Sequence, residues 1–225
     1  MGLSELHSNR LYGRIIMLEK VRSVEKSISV RQKVIWSAVI FVFGICMGLF
    51  SKMLDTAGFN ELPQIMQFLD ITNFLGRFAI WIFIAVCISV YSISPKRAAL
   101  NVFLFFIGMV GSYYLYSAFV AGFFPRSYAL IWFGITAVSP ALAFLCWYSK
   151  GSGWFAVVLS GIIIGVLLSQ AIFLTQGIRI AKIPEVIVWI ASIWVLRRKW
   201  KELAIELCIS VPVALLIQLF LPYWG

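Results

Sequence analysis

The sequence predicts an all-α, polytopic transmembrane helix bundle, and three observations carry that prediction. Apolar residues make up 62% of the 225 and charged ones only 12%, a balance far from that of a water-soluble domain. The mean hydropathy is +0.96. The 27 residues 98–124 carry no charge; as a helix they reach about 40 Å, enough to cross roughly 30 Å of bilayer hydrocarbon with tilt. Runs of this kind recur along the chain, so seven spans are expected, or six if the segment after Gln176 is re-entrant.

The chain divides into two regions: a basic amphipathic arm, 1–33, and a transmembrane helical domain, 34–225. In the arm, Leu11, Ile15, Leu18, Val21, Val24 and Ile28 recur at three and four residues. That spacing predicts an amphipathic N-terminal helix lying on the membrane surface, or docking a cytoplasmic subunit. The first apolar run begins only at Val34 and no A-x-A-like site follows it, so no cleavable signal peptide is expected.

The spans come in order. Residues 34–50 form the first, with Lys52 snorkelling at its far end and Gly44 and Gly48 as a small-x-x-x-small pair for close helix contact. Residues 53–73, holding Asp55, Glu61, Pro63 and Asp70, are the longest non-cytoplasmic connection and read as a lid or partner site. The second span, 74–94, carries Arg77 one turn inside its outer end. The third, 98–124, carries Ser112, Tyr113, Tyr114, Tyr116 and Ser117 in its outer half, hydroxyls that are costly to point at lipid. Pro125 and Arg126 turn the chain into the fourth, 128–148, where Pro140 predicts a kink. The fifth, 154–174, contains Gly161, Gly165 and Gln170. Residues 186–196 give only about 17 Å of helix, so a sixth span needs the segment from Ile178, with Arg179 and Lys182 snorkelling and a break at Pro184. The seventh, 203–221, comes after the run Arg197-Arg198-Lys199-Trp200-Lys201 and bends at Pro212.

On this map 14 of the 19 Lys and Arg residues fall on one side and 5 on the other. The amino terminus is therefore expected in the cytoplasm and the carboxyl terminus outside. The net charge of +10 is accounted for by topology, and the lipid bilayer, not nucleic acid, is the expected partner.

Several chemistries lose their central residue. The one histidine, His7, lies in the arm, which removes intramembrane metalloprotease and histidine acid–base schemes. Cys46, Cys87, Cys146 and Cys208 stand singly in four apolar runs and read as packing residues. No carboxylate sits mid-span; Glu206 comes nearest and reads as a partner for the basic run before it. No G-x-x-x-x-G-K-[ST] run is present, so an ATP-driven step needs another chain. No catalytic residue, metal site or cofactor is expected, and the chain reads as a non-enzyme.

What remains is a polar constellation at the outer side: Asp70, Arg77, Tyr113, Tyr114, Tyr116, Arg126 and Gln170, expected to line an outward-facing pocket for a small polar or amphipathic ligand. The alternative is that the arginines pair with loop acids and lipid headgroups while the tyrosines join the interfacial aromatic belt.

Residues 94–116 (SPKRAALNVFLFFIGMVGSYYLY), 122–132 (GFFPRSYALIW) and 139–154 (SPALAFLCWYSKGSGW) resemble a family of uncharacterised bacterial multi-span membrane proteins, over roughly 41–168. That resemblance implies bacterial origin and membrane location only. A looser likeness is to the substrate-binding subunits of energy-coupling-factor transporters, similar in size and with a gating loop after the first helix. That likeness is analogy only; the expectation of a non-enzymatic transport subunit that binds a small ligand from outside, powered by a separate cytoplasmic ATPase touching 1–33 and 197–201, rests on the outer polar constellation under a long loop and the missing energy motif. The departures are a seventh span, a longer arm and no Ala-x-x-x-Ala face on the first helix. The competing expectation is a scaffold or accessory subunit packed against partner membrane proteins.

Overall fold

The structure, a computed structural model, describes residues 21–24, 28–175, 179–180 and 182–221. Of the predicted arm, residues 1–20 and 25–27 lie outside the described residues, 22–24 and 28–29 are not helical, and 30–33 already belong to the first helix, so the amphipathic arm helix is not seen among the described residues. Nine α-helices are described: α1 (Val30–Thr56), α2 (Gln64–Phe68), α3 (Ile71–Gly76), α4 (Ala79–Val90), α5 (Pro95–Phe119), α6 (Arg126–Trp147), α7 (Trp154–Ala171), α8 (Ile183–Leu196) and α9 (Trp200–Phe220). Five of them, α1, α5, α6, α7 and α9, are long and apolar enough to cross a membrane. The other two apolar helices, α4 and α8, have 12 and 14 residues, about 18 and 21 Å at the helical rise.

Local chemistry sets the boundaries. Ser29 and Gln32 form a reciprocal capping box at the start of α1, and Ser94 accepts from the Arg97 amide at the start of α5, with Pro95 at the first helical position. Pro140 does not stop α6. Proline removes the donor that would bond the Thr136 carbonyl, and the neighbouring Ser139 hydroxyl donates to that carbonyl at 2.9 Å instead. The second apolar run is interrupted where it was expected to be continuous: Arg77 is extended (φ −92°, ψ 168°) and separates α3 from α4. The sixth segment differs too. Residues 172–173 and 179–180 pair as a short antiparallel hairpin (β1, β2), so helix α8 begins only at Ile183.

Packing divides the bundle into two groups. In the first, α5 lies between α1 and α6. In the second, α7 packs along α9 and beside α8. Helix α4 bridges them, touching α5, α6, α7 and α8. Both predicted glycine pairs sit at helix crossings. A Cβ at Gly44 would strike the Phe105 carbonyl, and one at Gly48 the Met109 carbonyl and Ser112 hydroxyl. A Cβ at Gly161 would come 2.8 Å from the Ile209 side chain, and at Gly165 2.7 Å from that of Val213. The main core joins Trp81, Phe105, Phe106, Met109, Tyr114 and Trp132 from α4, α5 and α6.

Contacts also define two ends. At one, Arg97 donates to the Lys33 carbonyl and Arg198 to the carbonyls of Ser149 and Gly151. This is the basic end. At the other, Lys52, Asp55, Asp70, Arg77, Lys182 and Glu185 meet in ion pairs. We call this the acidic end.

Candidate functional site

At the acidic end the chain builds two adjoining features, an aromatic cavity and a charge network. The cavity, about 30 Å³, is lined by Ser51, Leu75, Gly76, Trp81, Met109, Val110, Tyr113, Tyr114, Tyr128 and Trp132. It has room for one or two waters. Helical spacing explains its wall: Met109, Val110, Tyr113 and Tyr114 recur at three and four along α5, and Tyr128 and Trp132 at four along α6. Three polar groups on the wall have partners. The Tyr113 hydroxyl donates to Asp55 at 3.1 Å, the Tyr128 hydroxyl to the Gly76 carbonyl at 2.7 Å, and the Trp81 indole to the Leu75 carbonyl at 2.8 Å. The hydroxyl of Tyr114, a residue 4% exposed, has no partner.

Lys52 does not snorkel to the end of α1 as expected. The helix runs on to Thr56, and the buried Lys52 ammonium lies 2.6 Å from Asp55 and 5.2 Å from the centre of the Tyr113 ring. An ammonium at the last turns of a helix is well placed electrostatically, and here it also ties α1 to the cavity wall.

The charge network begins at Arg77, in the break between α3 and α4. Its Nε is 2.5 Å from Oε1 of Glu185, which is 2% exposed, and its Nη1 is 3.7 Å from Asp70. Lys182 reaches Asp70 at 3.2 Å. Asp70 holds a left-handed backbone (φ 53°) ahead of α3, a conformation costing a non-glycine residue about 1–2 kcal/mol and tolerated best by Asn and Asp. Its carboxylate accepts from Asn73 at 2.7 Å. Burial works against the charge on Asp70, but the Asn73 hydrogen bond, Lys182 and Arg77 outweigh it and hold its pKa below the ordinary 3.8.

Of the residues predicted to form one site, Tyr113 and Tyr114 line the cavity, while Asp70 and Arg77 join the network beside it. Tyr116 and Arg126 are not on the cavity wall, and Arg126 is exposed at the start of α6. Gln170 is 4% exposed near the end of α7 and neither end of its amide has a partner. The alternative stated from sequence for Arg77 is pairing with loop acids; Asp70, at 3.7 Å, is such an acid, but the nearer partner, Glu185 in α8, is not. Sequence reasoning missed Glu185, 108 residues from its partner, and Gln218, whose amide donates to the Ser169 and Ile172 carbonyls and accepts from the Leu174 amide. A lone Glu at the start of an apolar helix and a lone Gln near the end of one were the available signals.

A second polar centre lies at the basic end. Arg22 donates to the carbonyls of Val90 and Trp147, the last residues of α4 and α6, at 3.1 and 2.8 Å, with its guanidinium 4.1 Å over the Trp147 ring. Positive charge on terminal carbonyls complements the helix dipole. Arg198 donates to the Ser149 and Gly151 carbonyls while its Nε lies 2.9 Å from Glu206, which is fully buried. Among the described residues no group of three or more His, Cys, Asp or Glu is arranged to hold a metal. No protein-family profile, curated protein or solved structure matches the chain.

Proposed function

We propose that this multi-pass membrane protein captures a small ligand at its acidic end and serves as a transport-related subunit with no energy source of its own. The observation that carries the reading is the aromatic cavity with the buried, unpartnered Tyr114 hydroxyl, roofed by the chain that connects α1 to α4. As it stands the cavity takes only water, so ligand entry requires the roof to lift. The roof is suited to that. Tyr128 with Gly76, and Arg77 with Asp70 and Glu185, fasten its α4 end, where Phe74 and Leu75 also join the main core, while α2 has no buried residue and meets that core only through Met66. Discrete polar fastenings release more readily than continuous helix packing.

In this reading α4 and α8 also cross, giving seven passes. Support comes from the contacts at their ends: Arg77 and Glu185 pair at the acidic end, while Val90 and Arg198 lie at the basic end. In the same reading the basic end and the amino terminus face the cytoplasm of a bacterial cell and the carboxyl terminus lies outside, which the charge asymmetry supports. A cytoplasmic ATPase would then contact the basic end through the arm, 1–33. A scaffold role is the second reading, favoured by the broad bare face of α1, where Val34, Trp36, Val39 and Val42 are exposed.

The test is a thermal-shift screen of the detergent-solubilised chain against small aromatic and amphipathic compounds, repeated on Tyr114→Phe and Trp132→Ala. Ligand capture predicts hits whose stabilisation falls at least tenfold in apparent affinity in both variants. Hits indifferent to both, or stabilisation only by partner membrane proteins, would overturn it. Recovery of an ATPase from native membranes tests the transport role.

A further inference from the structure

The turn between α8 and α9 forms a cleft of about 310 Å³ lined by Arg197, Arg198, Lys199, Trp200 and Leu203. We infer that this cleft binds the phosphate headgroup of an anionic phospholipid at the basic end of the bundle. Four observations converge on that ligand.

First, the cations are available. Among the described residues Arg197, Lys199 and Lys201 have no ion-pair partner, and all three are exposed. Like charges side by side repel, so a cluster of unpaired cations is held at an electrostatic cost that an anion relieves. Second, one wall is rigid. Arg198, with its side chain 10% exposed, is fixed by Glu206 and by the Ser149 and Gly151 carbonyls, so it sets the cleft's position without being free to leave it. Third, the cleft opens at the amino end of α9, a 21-residue helix whose dipole favours negative charge, although its first turn already carries Glu202, 3.7 Å from Arg198. Fourth, Trp200 lines it and Trp194 stands in the last turn of α8 just before it in the chain. Trp194 is 73% exposed and Trp200 86% exposed, amphipathic rings that settle at the headgroup level of a bilayer.

The tryptophans decide between a lipid and a soluble anion. A site built for free phosphate gains nothing from two large apolar rings turned outward, whereas a lipid headgroup arrives with acyl chains that run along α8 and α9. Their outward residues Ile187, Ile190 and Val211 are exposed and apolar. The cations hold the phosphate, and the rings and helix faces hold the glycerol and acyl chains attached to it.

The experiment uses the full chain in mild detergent, titrated with short-chain phosphatidylglycerol, short-chain phosphatidylcholine or inorganic phosphate and read by native mass spectrometry. The test variants are Arg197→Ala with Lys199→Ala, both exposed and therefore safe for folding, and Trp200→Ala. The expected result is retention of phosphatidylglycerol at least tenfold tighter than phosphatidylcholine. Each basic residue removed should weaken it roughly fivefold, and the pair about 30-fold, with further loss in Trp200→Ala. Equal binding of the two lipids, or no change in the double variant, would overturn the site. Phosphate binding with the same variant sensitivity but no effect of Trp200→Ala would assign it to a soluble anion. If the double variant keeps its lipid but loses a protein partner, the cleft belongs to that partner and the lipid assignment fails.

Discussion

Removing either member of the Arg77–Glu185 pair should destabilise the fold, but unequally, because the two ends of the pair have different fallbacks. Glu185 is 2% exposed and has Arg77 as its one ionic partner among the described residues, with its second oxygen already unbonded. Arg77 is 25% exposed and has Asp70 at 3.7 Å as a second acid. Arg77→Met therefore strands a buried carboxylate, a loss of about 3–5 kcal/mol. Glu185→Gln leaves a neutral amide that still accepts from Arg77, while Asp70 retains the charge, so about 1–3 kcal/mol is expected. The double variant Arg77→Met with Glu185→Leu removes both charges from the buried site. It should recover at least about 2 kcal/mol relative to Arg77→Met alone, since apolar replacements of buried pairs are often neutral or stabilising. The assay is reversible unfolding in mixed micelles, followed by circular dichroism and analysed as a double-mutant cycle. If Glu185→Gln costs as much as Arg77→Met, or the double variant is no better than Arg77→Met, the reasoning fails.

Three further outcomes can be checked with the same preparation. Gly48→Val should disrupt the α1–α5 crossing, since its Cβ would meet the Met109 carbonyl and Ser112 hydroxyl, and should lower stability by about 1–3 kcal/mol or more; an unchanged midpoint would mean the helices are not so close. Arg198→Ala should cost about 3–5 kcal/mol by leaving the fully buried Glu206 unpaired. Arg198→Lys should not restore it, because a single ammonium cannot span Glu206 and two carbonyls; full rescue by lysine would contradict that geometry. Asp70→Asn should reduce the loss of thermal stability in acid. The pKa of Asp70 is depressed below 3.8 in the fold, so the unfolded chain binds the proton more readily. The stabilisation is fully present above about pH 4–5 and is lost as pH falls through the folded pKa. Asparagine keeps the left-handed backbone, so an unchanged acid profile from pH 6 to 3 would remove Asp70 from the network.

The membrane character was legible residue by residue. Uncharged apolar runs of about 20 residues read as helices in lipid, because a helix satisfies its backbone amides within its own segment. Gly44, Gly48, Gly161 and Gly165 announced the tightest crossings for a local reason: a missing side chain at spacing four leaves a groove wherever the helix lies. Tyr113 and Tyr114 were recognisable as too polar for lipid. The interruption at Arg77 was only weakly legible: Gly76 beside it is a poor helix former, but a lone glycine in an apolar run is often tolerated, and the arginine's buried partner is a glutamate 108 residues on. The same holds for Lys52, read as snorkelling and found buried beside Asp55 and Tyr113.

By itself, then, the chain's order of residues determined the solvent it folds in, the helices it forms and the end of the bundle that collects its basic charge. These properties rest on hydrophobicity and backbone satisfaction, which act over one segment at a time. Only the tertiary structure decided which charges meet, that Glu185 and Glu206 are buried against Arg77 and Arg198, and that α4 and α5 close an aromatic cavity with α6. Those outcomes depend on which helices lie side by side, and each contact draws its strength from burial that no single segment can supply.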